Sequence, residues 1–463
     1  MLSLLLLESV TQYMHPLLNT VAVQWAFIGP MQECRTWQQI EWNHAGVITA
    51  IKPIPSTDAA TLARAKGVLA LPGFVNAHTH LELSIQQAIA LTPPKTMGDW
   101  LLTVVHAASQ IAPQQQQLVI QQGIQEALSS GTTTLASTVR TLTLLESLWA
   151  DALPPIRTCW WLEWFHPDTD ITTQASIEKR DLLLAQLVQC QQYLASCVPH
   201  LQQSYVTIGL SPHSPYNVSL PAWQAVLQQC ASTSVLSGLP WQTHLLESAD
   251  EVRYYQKQSL TTEQTGIDVV HQTLLGKTFM PMLPTGVDIV AALQRAQVLS
   301  PLLSVVHGLE LSTQQATVLA ELGVCLVTCP RSNRFLHGKY LPEQFLTHPN
   351  LTVAIGTDAH VSLPEPTRLD IRLELQPLKE AYPAITWQTL LRFATLNGAK
   401  ALGMPNKVGE LSCGAFADIT CWHLPDTIQQ ETGTTDETAL LAYVLSSQQT
   451  PDQIIINGRV VTP

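Results

Sequence analysis

Residues 71–84 read LPGFVNAHTHLELS, and this stretch decides the fold. An apolar run, Val68-Leu69-Ala70-Leu71, passes Pro72-Gly73 and resumes as Phe74-Val75-Asn76-Ala77 before reaching His78, Thr79 and His80. An apolar run of this length, bounded by Pro and Gly, is the text of a buried strand and not of a helix. Side chains two apart on a strand point to the same side. His78 and His80 are therefore expected to leave one strand end together, as a chelating pair. A His-x-His tripeptide carries little weight alone. It gains weight if other strand ends supply further ligands.

At 463 residues the chain has room for one large barrel and a smaller domain. Hydrophobic residues make up 46% and charged ones 13%, the balance of a globular protein with a large interior. The net charge of −12 argues against nucleic acid or an anionic membrane surface as partner. The nine cysteines include no Cys-x-x-Cys pair, so neither a disulfide framework nor a zinc ribbon is expected. The opening MLSLLLLESV lacks the basic start of a signal peptide, and Glu8 ends its apolar run. With no stretch of about 18 uninterrupted apolar residues, a cytoplasmic protein acting on a small-molecule substrate is expected. The apolar content leaves room for a homodimer.

Residues 1–70 carry short apolar patches, such as Val21-Ala22-Val23, that suggest strands of a small β domain, with 4–19 as a possible helix. From 71 to 403 apolar strands alternate with helical text. After the His78 strand come 131–135, 156–165, 206–210, 240–244, 303–307, 324–329 and 351–358. Eight such alternations predict an α/β fold, a (β/α)8 TIM barrel. Residues 250–298 are longer than one connecting helix needs and read as an insertion near the barrel mouth. Residues 404–463 return to short strands, with Asn457-Gly458 as a hairpin turn and 424–439 as an exposed loop. Pairing of the two chain ends would make one composite β-sandwich domain from 1–70 and 404–463.

In such a barrel functional groups stand at the C-terminal strand ends. His78 and His80, Glu163, His213, His244, His307 and Asp358 all fall there. Any one strand-end histidine can serve simply by bonding a loop, but a set in one register points to a site. Three imidazoles and a carboxylate are the donors expected for zinc or iron(II) with one position left for water. Glu247, three residues after His244 in THLLES, can lean over that position as a proton shuttle, or sit in the first turn of the next helix.

PGFVNAHTHLE, SPHSPY, THLLES, VVHG, CPRSN and GTDA, in this order, resemble the amidohydrolase superfamily. They look most like its cytosine deaminase-like branch, which includes S-adenosylhomocysteine, guanine and aminodeoxyfutalosine deaminases. The resemblance runs from about residue 68 to 418. It implies a barrel with a composite β-sandwich, and one divalent metal, zinc first and iron(II) second, on His78, His80, His244 and Asp358. It implies Glu247 as proton shuttle, His307 orienting the attacking hydroxide, and Asp358 as a further proton acceptor. No lysine ends the fourth strand, which reads Ser211-Pro212-His213, so a mononuclear site is implied and His213 becomes a substrate contact. Glu82 is assigned to a ribose or amino group, or to a buried ion pair. Arg331 is assigned to a substrate carboxylate, or to an acidic residue of the mouth. Trp100 lies in a segment resembling the family's pocket cover, and Glu163 faces substrate or a loop. The eighth-strand motif departs from the family's Gly-Thr-Asp-Ser, reading Gly356-Thr357-Asp358-Ala359, and the first 70 residues match poorly.

Together these imply a hydrolytic deaminase in which metal-activated hydroxide attacks an amidine carbon of a purine-like or nucleoside-type ring and releases ammonia. A hydrolase of cyclic amides, a chlorohydrolase of triazine-like rings and a non-catalytic binding protein are the alternatives. The His-x-Glu…Pro-Cys-x-x-Cys pattern of the other zinc deaminases is absent.

Overall fold

The computed structural model describes residues 19–84, 93–141, 144–145, 148, 155–197, 205–257, 263–279, 288–363, 368–431, 436–446 and 449–462. The opening residues, and with them most of the expected 4–19 helix, lie outside this range. Strands β1 (Thr20–Ile28), β2 (Glu33–Trp42), β3 (Ile48–Pro53) and β4 (Val68–Pro72) begin the chain. The next eight are β5 (Phe74–Asn76), β6 (Thr132–Val139), β7 (Arg157–Trp164), β8 (Val206–Pro212), β9 (Trp241–Leu245), β10 (Leu303–His307), β11 (Cys325–Thr328) and β12 (Val353–Ile355). The last are β13 (Ile419–His423), β14 (Gln453–Ile456) and β15 (Arg459–Val461).

Strands β5 to β12 pair in sequence order as an eight-stranded sheet. Every neighbouring pair is parallel. The ring closes where the Ala77 N–H donates to the Ile355 carbonyl (2.9 Å) and the Thr357 N–H to the His78 carbonyl (3.0 Å). This is the expected (β/α)8 barrel. The other seven strands form one sheet in the order β15-β14-β13-β4-β1-β2-β3, so both chain ends contribute to the small β domain.

The deciding stretch is split between the two sheets. Leu69 and Pro72 of β4 pair with β1 and β13, whereas Phe74 to Asn76 of β5 pair with β6 in the barrel. Gly73 makes the hand-off. Its N–H donates to the Asp418 carbonyl (2.9 Å), and a Cβ there would stand 2.1 Å from the Thr133 hydroxyl. The single strand expected through His80 is thus two short strands, with both histidines beyond the second.

The barrel interior is packed by Val75, Ala136, Cys159, Trp161, Val306 and Val327, all buried. Trp161 fits because β8 presents Gly209, where a Cβ would lie 2.0 Å from the indole. Truncating such a buried ring costs about 3–5 kcal/mol. At the N-terminal end of β7, Arg157 is fully buried. Its Nε and Nη2 donate to the two Asp418 oxygens at 3.1 and 3.2 Å, tying the barrel floor to the small β domain.

The expected insertion carries helices Ala249–Gln256, Gly266–Leu275 and Ile289–Arg295. The middle one starts on a reciprocal capping box between Thr265 and Asp268, and buried Lys257 pairs with Asp268 at 2.6 Å. The expected exposed loop at 424–439 instead contains the helix Asp426–Glu431 and the start of the helix Glu437–Ser446. Among the described residues no helix is long and apolar enough to cross a membrane.

Candidate active site

Side chains at the C-terminal strand ends converge on one cavity of about 580 Å³. His244 lies in β9 and His307 ends β10, while His213 follows Pro212 directly after β8. Asp358 stands beyond β12 and pairs with Thr79 in an isolated bridge. That bridge sets the histidines on either side of Thr79 against Asp358.

The ligand atoms of His78, His80 and His244 all lie within 4.8 Å of one another. Asp358 Oδ1 is 3.8 Å from His78 Nε2 and 3.6 Å from His80 Nε2. The outer nitrogens are held from behind. His78 Nδ1 meets Gln242 Oε1 (2.6 Å), His80 Nδ1 the Thr138 hydroxyl (2.5 Å), and His244 Nδ1 the His213 carbonyl (2.9 Å). A carbonyl-type acceptor on Nδ1 fixes the proton there and turns the Nε2 lone pair inward, the arrangement of metal-ligating imidazoles. Burial pushes His78 well below the usual imidazole range and holds His80 down at about 3, so both stand neutral with a lone pair to offer. Burial works to raise the Asp358 carboxyl, but His80, His307 and His78 outweigh it and keep it below the ordinary range. Asp358 Oδ2 accepts from Ser332 (2.5 Å) and Ser362 (2.9 Å), which leaves Oδ1 toward the histidines.

His78 Nε2 is buried and has no hydrogen-bond partner. An orphaned buried nitrogen is costly unless something occupies its lone pair. Three inward imidazole nitrogens and one carboxylate oxygen fit a divalent cation of the zinc or iron(II) kind. The donors of Glu163, His213 and His244 form a second close group, which shares His244 with the first.

Glu247 stands across from these donors. It precedes Ser248, which caps the helix Ala249–Gln256, so it is not a first-turn residue; Asp250 and Glu251 fill that role. Glu251 takes the Leu246 and Glu247 N–H groups on its two oxygens, each at 2.9 Å. With its backbone so satisfied, Glu247 directs its carboxylate into the cavity, where Oε1 is 3.1 Å from His337 Nε2 and 3.7 Å from His307 Nε2. Burial opposes its charge, yet His307 and His337 hold the carboxyl at about 2. His307 is anchored through Nδ1 by Asn333 Oδ1 at 2.8 Å. Leu246, His307 and Asp358 adopt φ of 50°, 70° and 57°, a left-handed region seldom used by such residues. Backbone strain of this kind, of order 1–3 kcal/mol per residue, gathers at functional sites.

The remaining expected contacts separate. His213 lines the cavity, with Nδ1 held by Asn217 Nδ2 (3.0 Å) and Phe165 stacked on its ring at 5.0 Å. Trp100 and Glu163 also line it. Glu82 does not. It lies buried in a 3-10 turn and pairs with Arg140 at 3.2 Å, the ion-pair alternative. Arg331 also leaves the cavity wall, because its Nε donates to buried Glu374 at 2.6 Å; the acidic partner, not a substrate carboxylate, takes it.

Several residues escaped the sequence reading. Arg140 directly follows β6 and reaches both Glu82 and Glu163, the latter at 3.9 Å. The strand-end rule applied to β6 would have found it. His337, Gln242 and Asn333 carried no such signal, because each acts on a residue distant in sequence.

A profile of the amidohydrolase family matches residues 69–461, and the chain belongs to that family. Among similar proteins is a 5-methylthioadenosine/S-adenosylhomocysteine deaminase of Pyrococcus abyssi. It is 26% identical over 359 residues, covering 76% of this chain and 73% of the relative. In fold the chain is similar to Helicobacter pylori aminofutalosine deaminase in complex with methylthio-coformycin. The TM-score is 0.76 at 20% identity, covering 96% of this chain and all of the other. It is also similar to the zinc complex of an atrazine chlorohydrolase of Arthrobacter aurescens, with a TM-score of 0.69 at 18% identity, covering 95% and 94%.

Proposed function

We propose that this hydrolase is a metal-dependent deaminase that replaces the exocyclic amine of an amidine carbon in a purine-like or nucleoside-type ring by oxygen. The carrying observation is the inward set of His78, His80, His244 and Asp358, with the Glu247 carboxylate facing it. The deaminase names of the relatives lend support. One divalent cation, zinc before iron(II), is held by those four side chains. When bound it supplies the Lewis acidity that brings the pKa of a coordinated water from 15.7 to about 7.

The chain's own groups then manage protons. Glu247 accepts one from water and delivers it to the ring nitrogen beside the attacked carbon. His307, fixed by Asn333, directs Nε2 to where oxygen gains charge. Asp358 takes the second proton of the water, and that proton passes on to the exocyclic amine, whose bond to the ring carbon breaks so that it departs as ammonia. Water and the amidine thus become the ring carbonyl and ammonia. His213 contacts the ring, and Arg140 with Glu163 forms the polar wall beside it.

The test pairs metal analysis with ammonia release from adenine-, guanine-, cytosine- and adenosine-type compounds, with Glu247→Gln as control. About one metal per chain and release lost in the variant are expected. Metal without ammonia from any compound would count against deamination and turn the search to cyclic amides and chlorinated rings.

A further inference from the structure

The helix Pro330–His337 follows β11 and carries three side chains that hold groups of the reacting centre. Ser332 donates to Asp358 Oδ2 (2.5 Å), Asn333 Oδ1 meets His307 Nδ1 (2.8 Å), and His337 Nε2 meets Glu247 Oε1 (3.1 Å). The helix is itself fastened at both ends. Glu374 takes the Arg331 N–H at 2.8 Å and its Nε at 2.6 Å, which ties down the first turn. The last turn stops at Gly338, whose φ of 72° turns its N–H back to the Arg334 carbonyl at 3.0 Å. Between these ends Leu336 is buried in a cluster with Trp100, Ala359 and Val361. His337 thus stands on a fixed backbone.

Glu247 needs such a neighbour. Its side chain has several rotatable bonds, and a carboxylate that passes protons has to stay in one rotamer. Glu251 fixes the backbone through the Leu246 and Glu247 N–H groups, and the carboxylate is held separately. His307 Nε2 stands 3.7 Å from Oε1, beyond hydrogen-bond reach, whereas His337 Nε2 is within it at 3.1 Å. With its pKa held at about 2, Glu247 has no proton to give at neutral pH, so His337 Nε2 is the donor. Both imidazoles approach the same oxygen. Among the described residues no hydrogen bond or ion pair engages Oε2. Glu247 lines the cavity, while His337 lies outside its lining and has no contact with a ligand there.

We infer that His337 is the positioning residue of the proton shuttle: it holds Glu247 by Oε1 and leaves Oε2 as the oxygen that takes a proton from water and gives it to the substrate ring. This rests on the reading of Glu247 as the shuttle, but the hold on the carboxylate is a property of the chain whatever the reaction. Because His337 acts through Glu247 and not on substrate, its loss falls on kcat and spares KM.

The experiment compares His337→Gln, which keeps an N–H donor near the place of Nε2, with His337→Leu, which removes it. Turnover is measured on zinc-loaded protein with the adenine-, guanine-, cytosine- or adenosine-type compound that releases ammonia fastest. His337→Leu is expected to lower kcat by about 10- to 100-fold, the scale of an ångström's misplacement, with KM within about threefold. His337→Gln is expected to recover most of that loss. In a Glu247→Gln background His337→Leu is expected to change kcat by less than about twofold, because groups that act as a unit do not add. A packing defect would lower both backgrounds alike. Crystal structures of the two variants read the hold without turnover. The Glu247 carboxylate is expected to leave its place or spread over several rotamers in His337→Leu, and to keep its place in His337→Gln. An unmoved carboxylate in His337→Leu, or an equal loss of kcat in both backgrounds, would overturn the inference. A displaced carboxylate in a protein that releases ammonia from no compound would instead defeat the deaminase reading and leave His337's hold on Glu247 standing.

Discussion

Strand β7 buries an ionisable group at each end, and the chain treats the two differently. At its floor end Arg157 is fully enclosed and answered by both oxygens of Asp418. Asp418 Oδ1 also takes the Asn457 N–H at 2.7 Å, and Phe416 lies 4.3 Å beneath the guanidinium. At the mouth end Glu163 is also buried, but Arg140 approaches only to 3.9 Å and Glu163 Oε1 has no hydrogen-bond partner. A satisfied buried charge fixes structure, whereas a buried polar atom without a partner carries a desolvation cost that remains to be met. The same contrast sets the joint between the two sheets against the cluster of inward histidines.

The sharpest way to break the contrast is to empty the mouth. Removing metal with a chelator is expected to abolish ammonia release while the barrel stays folded by circular dichroism, and zinc is expected to restore it. Collapse of the fold on chelation would make the mouth a structural joint like the floor. Next in size, Glu247→Gln is expected to lower kcat by about 10²–10⁴-fold, the usual worth of a positioned proton carrier. Metal content should remain near one per chain. Activity within tenfold of wild type would remove Glu247 from the proton path.

At the floor the expected loss is in stability. Arg157→Ala leaves Asp418 buried without its cation and is expected to cost about 3–5 kcal/mol in urea unfolding. Replacing both partners, as Arg157→Met with Asp418→Asn, is expected to recover much of that. A single-variant cost under about 1 kcal/mol would mean that the two sheets hold together without this pair.

How far the sequence shows these two ends follows from how local each signal is. The eight barrel strands were legible because each is a short apolar run between breakers, and the polar side chains that converge on the cavity because most of them stand at the ends of those runs. His78, His80, His244, His307 and Asp358 are found in this way, whereas Glu247 was read from its place three residues after His244. The split at Gly73 was not legible, since one apolar run serves two sheets and only the partners Asp418 and Thr133 mark the break. Glu82 and Arg331 looked available for substrate because their partners, Arg140 and Glu374, lie 58 and 43 residues further along the chain. The left-handed φ at His307 and Asp358 leaves no trace in residue type.

The smallest effect bears most directly on the contrast within β7. Burial pushes the Glu163 carboxyl up to about 7 against the pull of Arg140, with Glu82 adding to the rise, from 4.5 in the unfolded chain. A carboxyl whose folded value is raised binds its proton more tightly in the native state. Its contribution to stability is therefore fully present below pH 4.5 and is lost as pH rises through about 7. Glu163→Gln keeps the shape of the protonated group and cannot ionise. The variant should gain on wild type between pH 5 and 8 by on the order of 2 kcal/mol, because each tenfold change in proton affinity is worth about 1.4 kcal/mol. Urea unfolding of zinc-free protein at each pH reads this difference without interference from metal loss. A difference that stays flat from pH 5 to 8 would mean that Arg140 matches Glu163 as fully as Asp418 matches Arg157. The mouth end of β7 would then be a finished ion pair with nothing left over for a ligand.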